Sequence, residues 1–522
     1  MRTVAAPLLL LAVAGGALLF AYAMIRPALI IMILSGAALA SFRFCLARDM
    51  RVRMGWAPLM LALGLPCAAW LLPSIWLLLG VTLIAVPLVA RKSGEVAAVY
   101  LFALLLLPGL DQTLSAGSLK LFEFGVHDAL AVGAGLRLVM RPGRARIARV
   151  LDVPLIALVL LLVVANARDT SVTNFLRVLI NGGLDCALPY YVVSRSIRTV
   201  DDLKLCMVYL AAAAAVLSVI LIYEARTSWP MYNVLYDHYR IPAQLMVKAR
   251  GGVLRAGGPF LESTSIAMVL ASCILAAWLS RPAFRSTRYH FAVLALLLAG
   301  LTMPQSRGAW IGLFIGMFAA DLYRRRIGNA ARRMAVIGAL GLGLVAVAPL
   351  SPYLSETLGL SGGSADTVDY RQRLFDRGIE EYLKSPVIGY SSPEILVHLA
   401  DLRQGEGIVD FVNTYIYFML ISGSIGLVIF VGGFVYYLAR LWRLRHGTRV
   451  GDPDADARAL VFAGLVMPME MLIFTSFGGR PEVFVFVMFA FAAALLAGRE
   501  RARASASRLR TQISGSTIAL SP

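Results

Sequence analysis

Apolar runs of about 16–22 residues, near the length that crosses roughly 30 Å of hydrocarbon, recur along the whole chain between short and mostly basic connections. They predict membrane helices near residues 5–25, 27–42, 55–72, 74–90, 96–109, 129–140, 150–166, 173–194 and 203–223. A second series follows near 263–280, 289–304, 309–323, 334–350, 413–438, 459–477 and 482–498. Several are short or adjacent, so the expected fold is all-α, a polytopic helical membrane protein with about 14 spans in a range of roughly 12–16. Two long stretches, 224–262 and 351–412, do not read as spans. In the second, Leu374, Phe375, Gly378, Ile379, Tyr382 and Leu383 fall on one helical face, and Pro386 is expected to end that helix. Such an amphipathic helix would lie on the membrane surface and cap whatever cavity the spans create.

Composition supports this pattern. Of 522 residues, 59% are hydrophobic and 15% charged, with a mean hydropathy of +0.76, whereas a soluble chain carries about a quarter charged residues. The excess of 49 Lys+Arg over 30 Asp+Glu would suggest nucleic acid in a soluble protein. Here it gathers at span ends: Arg43/Arg48/Arg51/Arg53, Arg91/Lys92, Arg141/Arg144/Arg146/Arg149, Arg195/Arg198, Arg281/Arg285/Arg288, Arg324–Arg326 with Arg332/Arg333, and Arg440/Arg443/Arg445/Arg449. With alternating crossings these clusters share the side of the N-terminus, so both ends are expected in the cytoplasm and no nucleic-acid partner is expected. The tail from Arg499 reads as a disordered basic extension beside acidic lipid. The first segment also scans as a signal peptide with Ala21-Tyr22-Ala23 as its cleavage site, but its apolar run is longer than a signal core and is read as a retained helix. Cys45, Cys67, Cys186, Cys206 and Cys273 have no paired or metal-like spacing and read as small buried hydrophobes. No metal or cofactor is expected.

Against the charge bias, Arg255, Arg307, Arg371 and Arg373 stand near membrane boundaries on the other side. Guanidinium forks match phosphate oxygens two at a time, and several together would hold a diphosphate at the bilayer surface. Each arginine also has a plainer reading as a snorkelling or paired side chain. That reading is weakest for Arg307, with no acid in the fifteen residues before it or the ten after it. An external position favours a lipid-linked diphosphate over a cytosolic nucleotide.

The runs "RAGGPFLESTSIAMVL" (255–270), "SRGAWIGLFIG" (306–316), "RQRLFDRGIEEYLKSPVIGY" (371–390) and "FVNTYIYFMLISGSIGL" (411–427) together resemble the O-antigen ligase and O-antigen polymerase superfamily, over about residues 195–440. On this reading, residues 1–194 are N-terminal membrane helices. Residues 195–440 form the core with periplasmic loops 224–262 and 351–412, 441–498 are C-terminal helices, and 499–522 are the tail. The resemblance implies a multi-pass glycosyltransferase of the bacterial inner membrane, acting on the periplasmic face without nucleotide sugar or metal. Its donor would be an undecaprenyl-diphosphate-linked glycan. Its acceptor would be a hydroxyl of another lipid-linked repeat unit in a polymerase, or of lipid A-core or protein in a ligase, with other polysaccharide-assembly proteins as possible partners. The family's arginines fall on Arg255, on Arg307 beside Ser306, and on Arg373 with Arg371 as the near alternative. Where ligases carry a histidine this chain has Val412, while Asn413 and Tyr415 remain, so the polymerase reading is preferred.

In such a transfer Arg307 and Arg255 would stabilise the leaving diphosphate, with Arg371 and Arg373 brought by the loop helix as a lid. Candidate bases are Glu262, Asp410 and His398, and Ser306, Asn413 and Tyr415 are candidate contacts to diphosphate or sugar. The plainer alternatives are helix capping for Glu262 and Asn413, pairing with Arg403 for Asp410, and surface exposure for His398. Trp229, Tyr232, Tyr236 and Tyr239 would either stack on sugars or anchor at the interface. The competing classes are an assembly scaffold and a transporter; the latter would show internal pseudo-repeats and charges inside several spans, whereas this chain has few, mainly Arg177 and Asp185.

Overall fold

The computed structural model describes residues 2–117, 119–140, 147–242, 248–358, 360, 364–403, 409–445, 452 and 454–518. Arg141, Arg144, Arg146 and Arg449 of the basic clusters lie outside them. The chain is 79% helical, an all-α polytopic membrane protein. Two short antiparallel hairpins interrupt the helices, Asp111–Ala116 with Leu119–Gly125 and Ala249–Arg250 with Val253–Leu254. Among the described residues, Tyr22–Cys45, Val200–Thr227, Ile327–Leu350, Thr414–Arg445 and Pro481–Arg501 are each long and apolar enough to cross a bilayer. A sixth arises if Arg48–Met54 and Ala57–Leu71, bent by 45°, count as one span. Other predicted spans are apolar helices of 10–17 residues, such as Ile75–Val89 and Ser263–Leu279.

The bundle is organised around Val200–Thr227, whose alanine run 211–215 is wholly buried. Small side chains let neighbouring helices approach closely where lipid gives no hydrophobic drive between them. The Thr287–Thr302 helix comes so near that a Cβ on Gly300 would fall 2.3 Å from the Ser218 hydroxyl. This central helix also sets the polarity of the molecule. At its start Lys204 pairs with Asp201 and Asp454, and Arg53 reaches Asp201 and Asp202. At the same end Arg324 pairs with Asp456, Arg440 with Glu500, and Arg501 donates to the carbonyl of Arg198. Most of the described basic clusters thus meet at one end, and Glu224, about 30 Å along the helix axis, marks the other.

Three expectations change. The first two predicted spans form one unbroken helix, Arg2–Cys45, running through Arg26, whose guanidinium lies 4.8 Å from the Trp229 ring centroid. Shared sidedness of the N-terminus and the Arg43–Arg53 cluster needed a break near Arg26, because the two ends of one helix face opposite ways. The tail read as disordered continues the last helix, Gly479–Ile518. The span predicted over 173–194 is three pieces, with a π-helical segment Gly182–Ala187 between Val172–Asn181 and Leu188–Ser196. A further helix, Ile327–Val347, stands almost free of the bundle, with most of its apolar side chains exposed.

The loop 351–412 folds into a cap with its own small core of Tyr370, Leu374, Ile395, Leu399, Leu402 and Val409 against Ile416 and Leu420. Its helix Ser364–Lys384 ends before Pro386, as expected. Leu374, Ile379 and Tyr382 face inward, but Phe375 and Leu383 are exposed. Beyond it, the 386–390 turn locks into a break in the Thr414–Arg445 helix at Gly423. Gly389 and Gly423 both have φ of +61°, which favours glycine, and a Cβ on either would lie 2.3 Å from the other segment's backbone. The groups freed by the break are bonded across it: Ser424 N donates to Pro386 O at 2.8 Å and Tyr390 N to Leu420 O at 2.7 Å.

Candidate functional site

The end away from the basic clusters holds a second gathering of arginines. It begins with the hairpin Ala249–Leu254, closed by Gly251 and Gly252 at φ of +58° and +73°, the two-residue turn that requires left-handed backbone at both positions. The turn sets Arg250 and Arg255 against the connection before Arg307. Arg250 Nη1 donates to Gln305 O at 3.0 Å and Arg255 Nε to Pro304 O at 3.1 Å. Gln305, buried and at φ +53°, turns the chain so that Ser306 and Arg307 open the next helix. Backbone held in that region is costly for a residue other than glycine and recurs at functional sites.

Arg307 is the first residue of helix Arg307–Tyr323 and donates from Nη1 to Leu358 O at 2.9 Å. Behind it, Gly308, Gly312 and Gly316 form a stripe against Phe474, Met471 and Met467; a Cβ on Gly312 would lie 2.5 Å from Met471. The "SRGAWIGLFIG" element therefore combines a cation with a groove that admits the Ala455–Met471 helix. Past that helix, Phe474 O accepts from Arg371 Nη2 at 3.3 Å, and the Phe474 ring lies 5.7 Å from the same guanidinium. Arg371 Nε is buried without a partner. Arg373 points elsewhere, paired with Asp369 at 3.0 Å and 58% exposed. Two positions along a helix turn by about 200°, so only one of the pair faces inward, and it is Arg371 rather than the first-choice Arg373.

The four inward arginines act on one another. Burial, then Arg250, then Arg371, with Arg307 a smaller contributor, push Arg255 down to about 10, partly opposed by Glu262. Burial, then Arg307 and Arg250, lower Arg371; burial, then Arg307, lower Arg250. All remain cationic at neutral pH, and the crowding of like charge favours an anion among them. Asp410 borders the group. Its carboxylate accepts from Ser476 at 3.2 Å. Burial, the largest cause, raises its proton affinity; Ser476 opposes, Glu262 adds, and Lys248 and Arg371 oppose. Arg403 is not its partner, since that side chain donates to Leu396 O. Glu262 is exposed and accepts from the hydroxyls of Thr264 and Ser265.

The remaining candidates are placed elsewhere. His398 Nδ1 bonds Glu381 at 3.0 Å, in a network with Lys384 and Arg377 on the cap. Asn413 Oδ1 accepts from Tyr415 N and Ile416 N, capping the helix that follows. Tyr415 donates to Met469 O at 2.6 Å. Ser306 occupies the N-cap position without a capping bond. Tyr232, Tyr236 and Tyr239 are buried in the bundle, Tyr239 donating to Ala69 O at 2.7 Å and Tyr232 packing on Trp70. All three pack within the bundle, and Tyr236, whose hydroxyl donates to Gly109 O at 2.7 Å, also lines a cavity that includes Glu262.

Sequence reading missed four contributors. Arg250 lay in a loop with no register until the Gly-Gly turn supplied one. Ser476 and Phe474 lie in the connection after a span, where nothing local marks them. Glu224 reads as a residue at a span end, yet it is buried and its carboxylate accepts from Met231 N at 3.2 Å and Gly258 N at 2.8 Å, holding the turn after Arg255. Glu224→Ala would strand two buried N–H groups, a destabilisation of about 2–5 kcal/mol. Faster proteolysis between residues 228 and 262 is the expected result, with Glu224→Gln retaining much of the protection.

The O-antigen ligase family matches residues 291–431, the stretch with Arg307, its helix, the cap, Arg371, Asp410 and the Gly389–Gly423 interlock. The chain carries an O-antigen ligase domain. That stretch supports a glycan-transferring membrane enzyme of the ligase and polymerase type. Arg250, Arg255 and Glu262 lie outside the matched residues and complete the O-antigen ligase domain's arginine group from the preceding hairpin. No curated protein matches the sequence.

Proposed function

We propose that the protein transfers a glycan from undecaprenyl diphosphate to an acceptor hydroxyl on the periplasmic face, polymerising repeat units, with no metal or nucleotide sugar. The observation that carries this reading is the convergence of Arg250, Arg255, Arg307 and Arg371 at the end opposite the basic clusters. The acceptor oxygen attacks the anomeric carbon, the bond from that carbon to the phosphate oxygen breaks, and its electron pair leaves on the lipid diphosphate. The guanidinium groups stabilise that growing charge, and the hydroxyl proton passes to Asp410, with Glu262 beside it as the alternative acceptor. Val412 in the ligase histidine position favours chain growth over attachment to a core lipid.

The test is purified protein in proteoliposomes with a synthetic undecaprenyl-diphosphate repeat unit, EDTA and no nucleotide sugar. A ladder of lengthening products supports polymerisation. Single attachment to added lipid A-core establishes the ligase reading instead. Neither product, with the folded protein present, overturns transfer.

A further inference from the structure

Asp185, a carboxylate inside a predicted span, is not used by the chemistry above. The π-helical segment Gly182–Ala187 carries it, a distortion found mostly at functional sites, and leaves its side chain exposed although its neighbours are helical. The space it enters is built. One cavity of about 320 Å³ runs from Glu262 past Asp128 to Asp185 and Glu482. A second of about 610 Å³ continues from those same two acids to Asn166, Asn174 and Asn181, roofed by Ser392 and Leu396 of the cap. Together they are large enough for an oligosaccharide by the usual size of ligand pockets, and polar groups converge on apolar walls as such pockets require. Tyr417 donates to Asn166 at 3.4 Å, Asn174 to Thr170 at 3.1 Å, and Cys186 to Glu482 at 3.1 Å. Asn181 Oδ1 has no partner.

We propose that these adjoining cavities, which share Asp185 and Glu482 as walls, are the acceptor chamber, in which Asp185, Asn174 and Asn181 hydrogen-bond the hydroxyls of the incoming glycan. Amides and carboxylates together donate to and accept from sugar hydroxyls. Among the described residues the charged side chains lining the cavities are carboxylates, with His127 beside them and Arg177 donating to Asn174 Oδ1 at 3.5 Å, so a diphosphate meets mainly like charge there. Position gives the direction of transfer. Glu262 lines the first cavity and acts on both Arg255 and Asp410, so the chamber opens at the junction between base and leaving group. This assignment rests on the transferase reading and gives it the second substrate's place.

The experiment uses the full chain in proteoliposomes, with a repeat-unit glycoside on a short alkyl chain, which lacks a diphosphate and serves only as acceptor. Asp185→Asn and Asn174→Ala should each raise the acceptor KM about ten-fold or more while kcat and the donor KM hold. A rise in donor KM alone, or no change, overturns the assignment. A second measurement needs no catalysis. Asn174→Cys should react with a water-soluble maleimide above the background of the unsubstituted chain, and the glycoside should slow that reaction where farnesyl diphosphate does not. Absence of labelling, or protection by farnesyl diphosphate only, overturns the chamber. Should the parent chain transfer nothing while the glycoside still shields Cys at 174, the transferase reading falls and glycan binding stands.

Discussion

Arg307→Ala is expected to lower the rate of transfer by about 10²–10³-fold, the usual loss when a fixed group facing developing charge is removed. The substitution deletes a half-buried guanidinium at the start of its helix that donates to the carbonyl of Leu358 and, among the described residues, pairs with no acid. It removes no core packing, and the glycine stripe behind it still seats the Ala455–Met471 helix. Arg307→Lys should recover only part of the loss, because a lysine keeps the charge without the fork that grips two oxygens. The measurement is initial rate with the lipid-diphosphate repeat unit at saturating and limiting donor. A loss confined to donor KM, with kcat intact, would make Arg307 a binding residue and remove it from the chemical step. Unchanged kinetics in both variants would sink the arginine mechanism.

Asp410→Asn should cost about 10²–10⁴-fold in kcat, the range for loss of a general base. Its pH dependence separates a base from a merely structural carboxylate. Burial raises the proton affinity of Asp410 above the ordinary range for aspartate, which is near 3.9. As pH falls through that raised value the carboxylate takes up a proton and can no longer accept one from the acceptor hydroxyl. The rate should therefore fall on the acid side, with a midpoint above the usual aspartate value, and level off once the group is ionised. In Asp410→Asn the residual rate should lose that limb. A variant that keeps both limb and rate would transfer the role to Glu262, whose variants Glu262→Gln and Glu262→Ala would then carry the loss.

Most of the fold was legible because hydrocarbon length and positive charge act on long stretches of sequence, and long signals survive local error. The gathering of basic clusters at one end and of Arg255, Arg307 and Arg371 at the other follows from those two signals. What escaped was set by contacts distant in sequence. Arg371 over Arg373 is decided by helix phase against Phe474, which no local pattern encodes. Arg250 joins only through a tight turn and a carbonyl 55 residues away. His398 was attractive as a histidine in an outer loop, but Glu381, buried by the cap's own core, claims it. The unbroken Arg2–Cys45 helix passes Arg26, where the sequence reading divided two spans, and the helical tail passes a charge run that read as disorder; in both, helix propagation outlasted the local signal.

The seam between Gly389 and Gly423 has a mechanical consequence. Because the 386–390 turn supplies bonds that an interrupted helix lacks, prising the cap upward would strip backbone groups bare within the bilayer's reach, about 1–3 kcal/mol for each. The cap is riveted at that end and is a poor hinged door. On the proposed function, a lipid-linked diphosphate donor would then have to drift in sideways, tail still among lipids, sliding its head group under a fixed eave.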